Sequence, residues 1–168
     1  KNLEEFGKHL SIPLINGLSE KSHPCQIMSD ILTFEEIKGN IKGKTIAWLG
    51  DGQNNMSNSF IEAACKFNFN LKIGCPKKYS PKKEVMAWAK KNKANVFVTQ
   101  NPFDAVKNAD CVMTDKWVSM NDKVNKKLKK KALQKYQVNK KLMSKAKSDA
   151  IFMHCLPVGR GEEVTNEI

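Results

Sequence analysis

The sequence predicts an α/β domain built on a doubly wound, Rossmann-like parallel sheet with helices on both faces. From Lys44 onward, short apolar runs alternate with longer segments of helical periodicity. Each run is nearly continuous in apolar residues, which is typical of parallel strands that are buried on both faces. Right-handed crossovers would then bring the carboxyl ends of all strands to one edge, where ligands bind in such sheets.

These patterns place the elements along the chain. The strands are expected at residues 45–49, 71–75, 96–99, 111–114 and 150–154. The helices after Lys44 are expected at 56–67, 82–92, 103–108 and, in two pieces, 123–147. Upstream, a helix should open at Ser22-His23-Pro24 and run to about Glu36, with Ser22 as N-cap and Pro24 in the first turn. Residues 12–17 are predicted to be a strand of another domain, because this chain offers them no partner strand.

Composition excludes several classes of protein. The 168 residues support one domain, or one plus a fragment, and 40% hydrophobic with 27% charged residues is the composition of a globular protein. The apolar runs are shorter than the roughly 20 residues of a membrane helix, and no signal peptide is visible. Five scattered cysteines favour a reducing cytoplasm. A start at Lys1 also allows a piece cut from a longer chain.

The net charge of +12 comes almost entirely from lysine, since Arg160 is the only arginine. Readers of nucleic acid usually depend on arginine forks, so no nucleic-acid partner is predicted. The densest lysine run, residues 123–131, has Val124, Leu128 and Leu133 at near-helical spacing, which predicts a solvated face of an amphipathic helix. A phosphate-binding or nucleic-acid-binding patch over 123–147 is the alternative.

The turn Gly50-Asp51-Gly52-Gln53-Asn54-Asn55 follows a strand and opens a helix, as a dinucleotide fingerprint does. However, Asn55 replaces the third glycine, and Asp51 would repel a pyrophosphate. The acidic residue that would hold a ribose is also missing, so no organic cofactor is predicted. An Asn-rich turn suits a small zwitterion better, although these residues can equally serve only to shape the turn.

Other candidate groups follow later strands. Asp115 could bind a substrate ammonium and Ser119 a carboxylate, although either could instead be a helix cap. In His154-Cys155-Leu156-Pro157, adjacent side chains point to opposite faces, so His154 and Cys155 should form neither a dyad nor a metal site. Cys155 could also be an inert buried thiol.

Near the chain's start, His23-Pro24-Cys25-Gln26 places an imidazole and an amide at a helix start, where free backbone amides can hold an anion. Taken in order with the Asn-rich turn, Asp115 with Ser119-Met120, and His154-Cys155-Leu156-Pro157, this motif resembles the ornithine carbamoyltransferases. These belong to the aspartate/ornithine carbamoyltransferase superfamily. The resemblance extends from Pro13 to Val164. Aspartate-specific relatives differ at the His-Cys-Leu-Pro motif, and putrescine-specific relatives lack the Ser-Met pair.

The resemblance implies carbamoyl transfer from carbamoyl phosphate to the δ-amine of ornithine, giving citrulline and phosphate without metal or cofactor. The carbamoyl-phosphate-binding residues implied are His23, Pro24, Cys25, Gln26, Cys155 and Leu156. Those implied for ornithine are Asn55, Asp115, Ser119, Met120, Cys155 and Leu156. His23, Asp115 and Cys155 are the implied catalytic residues, with Cys155 positioning groups and handling a proton rather than acting as a nucleophile.

The same resemblance implies the organisation of the chain. Residues 1–22 would end a carbamoyl-phosphate domain, 23–40 would form an interdomain helix, and 41–168 would be the ornithine-binding domain without its last helix. The family's Ser-Thr-Arg-Thr-Arg phosphate motif and a late arginine are not in this sequence, and Asn121 replaces the usual glycine after Ser-Met. The fragment alone is therefore expected to be inactive, and the full-length protein to be a cytoplasmic homotrimer. A non-catalytic amino-acid-binding or interaction domain of the same fold is the alternative.

Overall fold

The fold is a five-stranded parallel sheet flanked by helices on both faces, seen in a computed structural model that describes residues 3–118 and 125–168. Its strands are β1 (Thr45–Leu49), β2 (Asn70–Gly74), β3 (Val96–Thr99), β4 (Cys111–Thr114) and β5 (Ile151–His154). The order across the sheet is β3-β2-β1-β4-β5, and every neighbouring pair is parallel. The predicted fold class and all five predicted strands are confirmed.

The helices alternate with the strands as predicted. They are α1 (Leu3–Gly7), α2 (Pro24–Lys38), α3 (Asn55–Phe67), α4 (Lys83–Lys91), α5 (Pro102–Val106), α6 (Lys126–Leu133) and α7 (Lys140–Met143). Short 3-10 turns occupy Lys77–Tyr79 and Gln134–Tyr136. The predicted 123–147 segment is thus two helices separated by a 3-10 turn, and α1 was not anticipated. Among the described residues, none of the helices combines the length and apolar character needed to cross a bilayer.

Two cores lie on opposite faces of the sheet because alternate strand residues point to opposite sides. Ile46 and Trp48 of β1 face a core completed by α2, α3 and α4. Ala47 and Leu49 face a second core completed by α5, α6 and α7. The central strand is therefore apolar on both faces, which explains its continuous hydrophobic pattern.

Two local predictions near the chain's start are wrong. Residues 12–17 are described and form no strand, since none of the described strands pairs with them and Pro13 has no backbone N–H to donate. The N-cap of α2 is His23 rather than Ser22, and Pro24 is the first helical residue. The Ser22 hydroxyl instead accepts a hydrogen bond from Asn16 at 3.0 Å.

The lysine-rich face of α6 differs most from the prediction. Leu128, expected to face inward, is 60% exposed, whereas the Lys129 side chain is 7% exposed and contacts Asp51 at 2.7 Å. The ion pair with Asp51 turns this lysine inward, so the helix does not bury the apolar residue that its spacing suggested. Leu133 is buried as predicted, and Val124 lies outside the described residues.

Candidate functional site

The candidate site lies where the chain direction across the sheet reverses. β1 is followed by β2 on one side, and β4 returns to pair with β1 on the other. The loops after these two strands diverge at this point, which leaves the crevice that ligands occupy in open α/β sheets. Asp115 directly follows β4 and Cys155 directly follows β5, so both reach the crevice from strand ends.

Hydrogen bonds and an ion pair with neighbouring segments fix the shape of the turn after β1. Gly52 donates its amide to Tyr79 O at 2.9 Å, and a Cβ at this position would lie only 2.8 Å from that oxygen. Only glycine allows this approach. The Asp51 carboxylate accepts the Gln53 amide at 2.8 Å and pairs with Lys129 at 2.7 Å. The Asp51 carboxylate therefore shapes the turn, and Lys129 neutralises its charge. A ligand at this turn would not meet an uncompensated negative charge.

Asp115 is the centre of a hydrogen-bonded group. One carboxylate oxygen accepts the Asn54 side-chain amide at 3.1 Å, and the other accepts the Lys116 backbone amide at 2.6 Å. The Cys155 thiol interacts with this carboxylate, and each group shifts the pKa of the other. Asn54 additionally caps α3 by accepting the Ser57 amide at 2.8 Å. The ends of β1, β4 and β5 are thereby joined through side chains.

The electrostatics of this group favour a bound cation. Burial raises the pKa of Asp115 above its ordinary value, against the lowering effect of the neighbouring Cys155 thiol. Burial also raises the pKa of the Cys155 thiol, and the neighbouring carboxylates of Asp115 and Asp30 raise it further. A thiol held neutral in this way is a hydrogen-bonding group and not a thiolate nucleophile. An arriving ammonium would compensate the buried carboxylate.

A second group joins Asn55 to His23. The Ser59 hydroxyl donates to Asn55 O at 2.8 Å and accepts the His23 amide at 2.8 Å. The Asn55 side chain donates to Ser19 O at 2.9 Å. The first turn of α3 is thus fixed against the start of α2, which carries the His-Pro-Cys-Gln motif. Nδ1 of His23 is buried and has no hydrogen-bond partner in the part of the chain that is described.

The rest of the His-Pro-Cys-Gln motif lies in the first turn of α2. Pro24 and Cys25 are exposed, and the Cys25 thiol lies 3.5 Å from Asn16 O. Gln26 donates its side-chain amide to Asp30 at 2.9 Å, one helical turn further on. Burial raises the pKa of Asp30, although Gln26 and His23 both act to lower it.

The His-Cys-Leu-Pro segment has a buried support. Nδ1 of His154 accepts the Leu156 amide at 2.9 Å, and Nε2 lies 3.3 Å from the Glu163 carboxylate. Burial would raise the pKa of Glu163, but the nearby His154 imidazole and the hydrogen bond from the Gly159 amide lower it below its ordinary value. Leu156 itself is 66% exposed, with its backbone in the left-handed region at φ 54°. His154 and Cys155 have different partners, as their alternation on the strand predicts.

The structure therefore brings Asp115 and Cys155 together and places Asn55 beside His23, with Asn54 and Asn55 linking the two groups along the chain. Ser119 and Met120 lie outside the described residues, as does Asn121. Sequence reasoning missed Asn54, Asp30 and Glu163 as members of the site. Asp30 could have been found, because it interrupts the inward-facing positions Ile27, Ile31 and Phe34 of α2. Asn54 reaches Asp115 across 61 residues of sequence, so no local pattern indicates that contact. Glu163 is near Gly159 and His154 in sequence, but no motif singled it out.

Comparison with known families shows which family most of the chain resembles. A family described as "Aspartate/ornithine carbamoyltransferase, Asp/Orn binding domain" matches residues 42–168. The chain is similar to the ornithine carbamoyltransferase of Rhodopseudomonas palustris, with 52% identity over 166 residues, covering 99% of this chain and 53% of that protein. The chain spans about half the length of the curated relatives it matches.

The chain is also similar to solved structures of ornithine carbamoyltransferases. The anabolic ornithine carbamoyltransferase from Campylobacter jejuni matches with a TM-score of 0.90 and 37% identity, over 97% of this chain and 55% of that one. The ornithine carbamoyltransferase from Pyrococcus furiosus matches with a TM-score of 0.89 and 40% identity, over 98% and 54% of the two chains. Both relatives share the parallel α/β fold described above.

Proposed function

This chain belongs to the aspartate/ornithine carbamoyltransferase family, and we propose that the full-length protein transfers the carbamoyl group of carbamoyl phosphate to the δ-amine of L-ornithine. The products are L-citrulline and phosphate. The observation that carries this proposal is the group formed by Asp115, Asn54 and Cys155 at the reversal point of the sheet. It offers a buried carboxylate for an ammonium and a neutral thiol beside it.

The amino-acid side of the site suits ornithine. Asp115 supplies the negative charge that an α-ammonium requires, and Asn55 supplies an amide that can reach the α-carboxylate or α-ammonium. Ser119 and Met120 are proposed to complete the contacts with the α-amino and α-carboxylate groups. Cys155 and Leu156 then lie near the δ-amine, at the end of β5. The raised pKa of Asp115 supports this arrangement, because a bound ammonium would relieve the cost of its buried charge.

The carbamoyl-phosphate side is proposed to involve the start of α2. His23 and Gln26 contact the carbamoyl group, with Pro24 and Cys25 shaping the first turn of a 15-residue helix whose free amides favour an anion. A donor such as His23 can stabilise the oxyanion of the tetrahedral intermediate, an effect typically worth about 3–4 kcal/mol. The family's arginine-rich phosphate motif is expected in the part of the full-length protein that this chain does not include.

The reaction follows from these placements. The δ-amine must lose a proton before it attacks, because its ordinary pKa is near that of lysine. Its nitrogen lone pair forms the new C–N bond, and the C–O bond to phosphate breaks with departure of the phosphate. The neutral Cys155 thiol is proposed to position the amine and to relay its proton, accepting one proton while passing its own to the Asp115 carboxylate, which receives it. Carbamoyl phosphate is already activated, so no covalent intermediate with the thiol is needed.

The organisation of the full-length protein is part of the same proposal. Residues 1–22 would end a carbamoyl-phosphate domain, 23–40 would link the domains, and 41–168 would bind ornithine. We propose a cytoplasmic homotrimer that uses no metal and no organic cofactor, and that binds no nucleic acid. The isolated 168-residue chain is expected to make no citrulline, because it lacks the arginine clamp for phosphate.

A direct assay tests the proposal. Purified full-length protein, given carbamoyl phosphate and L-ornithine, should form citrulline and phosphate in equal amounts. The matched control is the same protein given putrescine, which lacks the α-carboxylate and should react at least about a hundredfold more slowly. If full-length protein bound ornithine but formed no citrulline, the chain would belong instead to a non-catalytic amino-acid-binding protein of this fold.

A further inference from the structure

Asp30 is a buried carboxylate in an apolar setting. It lies on the inward face of α2 between Ile27, Ile31 and Phe34, and only 7% of its surface is exposed. Phe60 of α3 and Met113 of β4 line the same small cavity. Burying a carboxylate among apolar side chains destabilises the folded state, so its presence indicates a role other than packing.

The hydrogen bonds of Asp30 are incomplete. Its Oδ1 accepts the side-chain amide of Gln26 at 2.9 Å. Its Oδ2 is buried and has no hydrogen-bond partner among residues 3–118 and 125–168. Burial raises the pKa of Asp30, and its charge in turn raises the pKa of the Cys155 thiol. Asp30 therefore has Gln26, in the first turn of α2, as its side-chain hydrogen-bond partner among the described residues, and its charge acts on Cys155 of the candidate site.

This contact fixes the orientation of Gln26. A carboxamide has a donating nitrogen and an accepting oxygen, and it can usually rotate to exchange them. An ionised carboxylate only accepts hydrogen bonds, so Gln26 must turn its nitrogen toward Asp30. The carboxamide oxygen of Gln26 is left without a hydrogen bond in the described part of the chain. Gln26 thus offers an acceptor, and not a donor, to a ligand.

We propose that Asp30 is a specificity-determining positioning residue, which holds Gln26 so that the site selects an acyl phosphate bearing an N–H donor. The inference rests on the proposed function and deepens it. Carbamoyl phosphate has an NH₂ group that can donate to the Gln26 oxygen. Acetyl phosphate has a methyl group of similar size at the same place and cannot donate. A site that is built to accept a hydrogen bond rejects an analogue that lacks the donor.

The test uses full-length protein and the variant Asp30→Asn. Asparagine has nearly the same shape, but its own amide can turn either end toward Gln26, so the orientation of Gln26 is no longer fixed. The Michaelis constant for carbamoyl phosphate should rise roughly tenfold, the loss of one well-oriented hydrogen bond. The inhibition constant of acetyl phosphate, measured in competition, should change less than about twofold.

Two controls separate this role from a general loss of structure. Asp149→Asn removes an exposed carboxylate that pairs with Lys38 at the other end of α2, and it should change neither constant. In a Gln26→Leu background, Asp30→Asn should have no further effect on the ratio of the two constants, because the group it positions is gone. If Asp30→Asn does not fold, Asp30→Leu provides the same comparison with a side chain that suits the apolar cavity.

The outcomes are distinct. A selective rise in the Michaelis constant for carbamoyl phosphate, abolished in the Gln26→Leu background, supports the proposal. Equal changes in both constants, or no change in either, overturn it while leaving citrulline formation by the unmodified protein intact. Failure of the unmodified protein to form citrulline would instead count against the proposed function.

Discussion

At the scale of single residues, Asp115 and Asn54 show how a side chain acquires meaning only in the fold. Asp115 follows β4 and could as well have been a helix cap, but it accepts hydrogen bonds from Asn54 and from the Lys116 amide. Asn54 caps α3 and also orients the Asp115 carboxylate. The negative charge of Asp115 is thus fixed in one direction, toward the crevice shared with Cys155.

Removing that charge should damage ornithine use selectively. In full-length protein, Asp115→Asn keeps the shape of the side chain but loses the charge that pairs with an ammonium. We expect the Michaelis constant for ornithine to rise roughly 100-fold, equivalent to about 3 kcal/mol, with less than about twofold change for carbamoyl phosphate. Steady-state kinetics with each substrate varied in turn measures both constants.

Asp104→Asn, an exposed substitution on α5, is the matched control and should leave both constants unchanged. A similar loss for the two substrates would contradict the role proposed for Asp115, since it would indicate general damage to the site.

At the scale of elements, α6 is tied to the turn after β1 by the ion pair between Lys129 and Asp51. Both side chains are less than 10% exposed, and the Lys129 ammonium also lies 5.6 Å from the centre of the Tyr79 ring. A buried pair adds little net stability, but breaking it leaves an uncompensated charge. The ion pair between Lys129 and Asp51 therefore affects stability most when one of its two partners is removed.

The substitution Lys129→Met should destabilise the chain by about 3–5 kcal/mol, because it leaves the Asp51 carboxylate buried without its cation. Urea denaturation measures the change. Lys131→Met, an exposed position on the same helix, should cost less than about 0.5 kcal/mol. Equal losses for the two variants would show that α6 depends on its lysines in general and not on this contact.

The elements themselves were largely predictable from sequence. β1, β3 and β4 have the predicted bounds, and β2 and β5 differ by one residue, because a nearly continuous apolar run marks each strand in the sequence. The orientation of α6 was not predictable, since Lys129 is inward only because Asp51, far away in sequence, draws it there. The strand expected at residues 12–17 failed because an extended apolar sequence pairs only where a sheet edge is available.

The candidate site, like the elements, was only partly predictable from sequence. Asp115, Cys155 and Asn55 follow strands, so the parallel topology alone places them at one edge. Their contacts could not be predicted, because Asn54 reaches Asp115 across 61 residues of sequence. The lysine-rich run at residues 123–131, apart from Lys129, is still predicted to be a solvated face.

At the scale of the whole molecule, Asp110 joins the amino ends of three strands, opposite the site. Its carboxylate accepts the Thr45 amide at 2.8 Å and the Lys147 ammonium at 2.7 Å, and its carbonyl accepts the Ile151 amide at 3.2 Å. Burial would raise the pKa of Asp110, but the hydrogen bonds from Lys147 and Thr45 lower it below its ordinary value of 3.8. The ionised form is therefore favoured by folding.

This linkage predicts a pH-dependent stability. The group contributes fully above its unfolded pKa of about 3.8, and the contribution is lost as the pH falls through the lower folded value. Asp110→Asn should cost about 2 kcal/mol at neutral pH, and the gap to the unmodified chain should close progressively below about pH 4. Urea denaturation across this range checks it, with Asp104→Asn as control. A gap that stayed constant with pH would contradict the assignment.

The strand order has a consequence for synthesis. β1 is central, yet one of its two neighbours, β4, lies far downstream, and the Thr114 hydroxyl reaches Leu49 O across 65 residues. A nascent chain emerging from the ribosome exposes one flank of β1 until β4 follows, and β5 with Cys155 comes later still. Metabolite binding in the crevice cannot help the chain to fold before β5 and Cys155 have been translated, because Cys155 is part of that crevice.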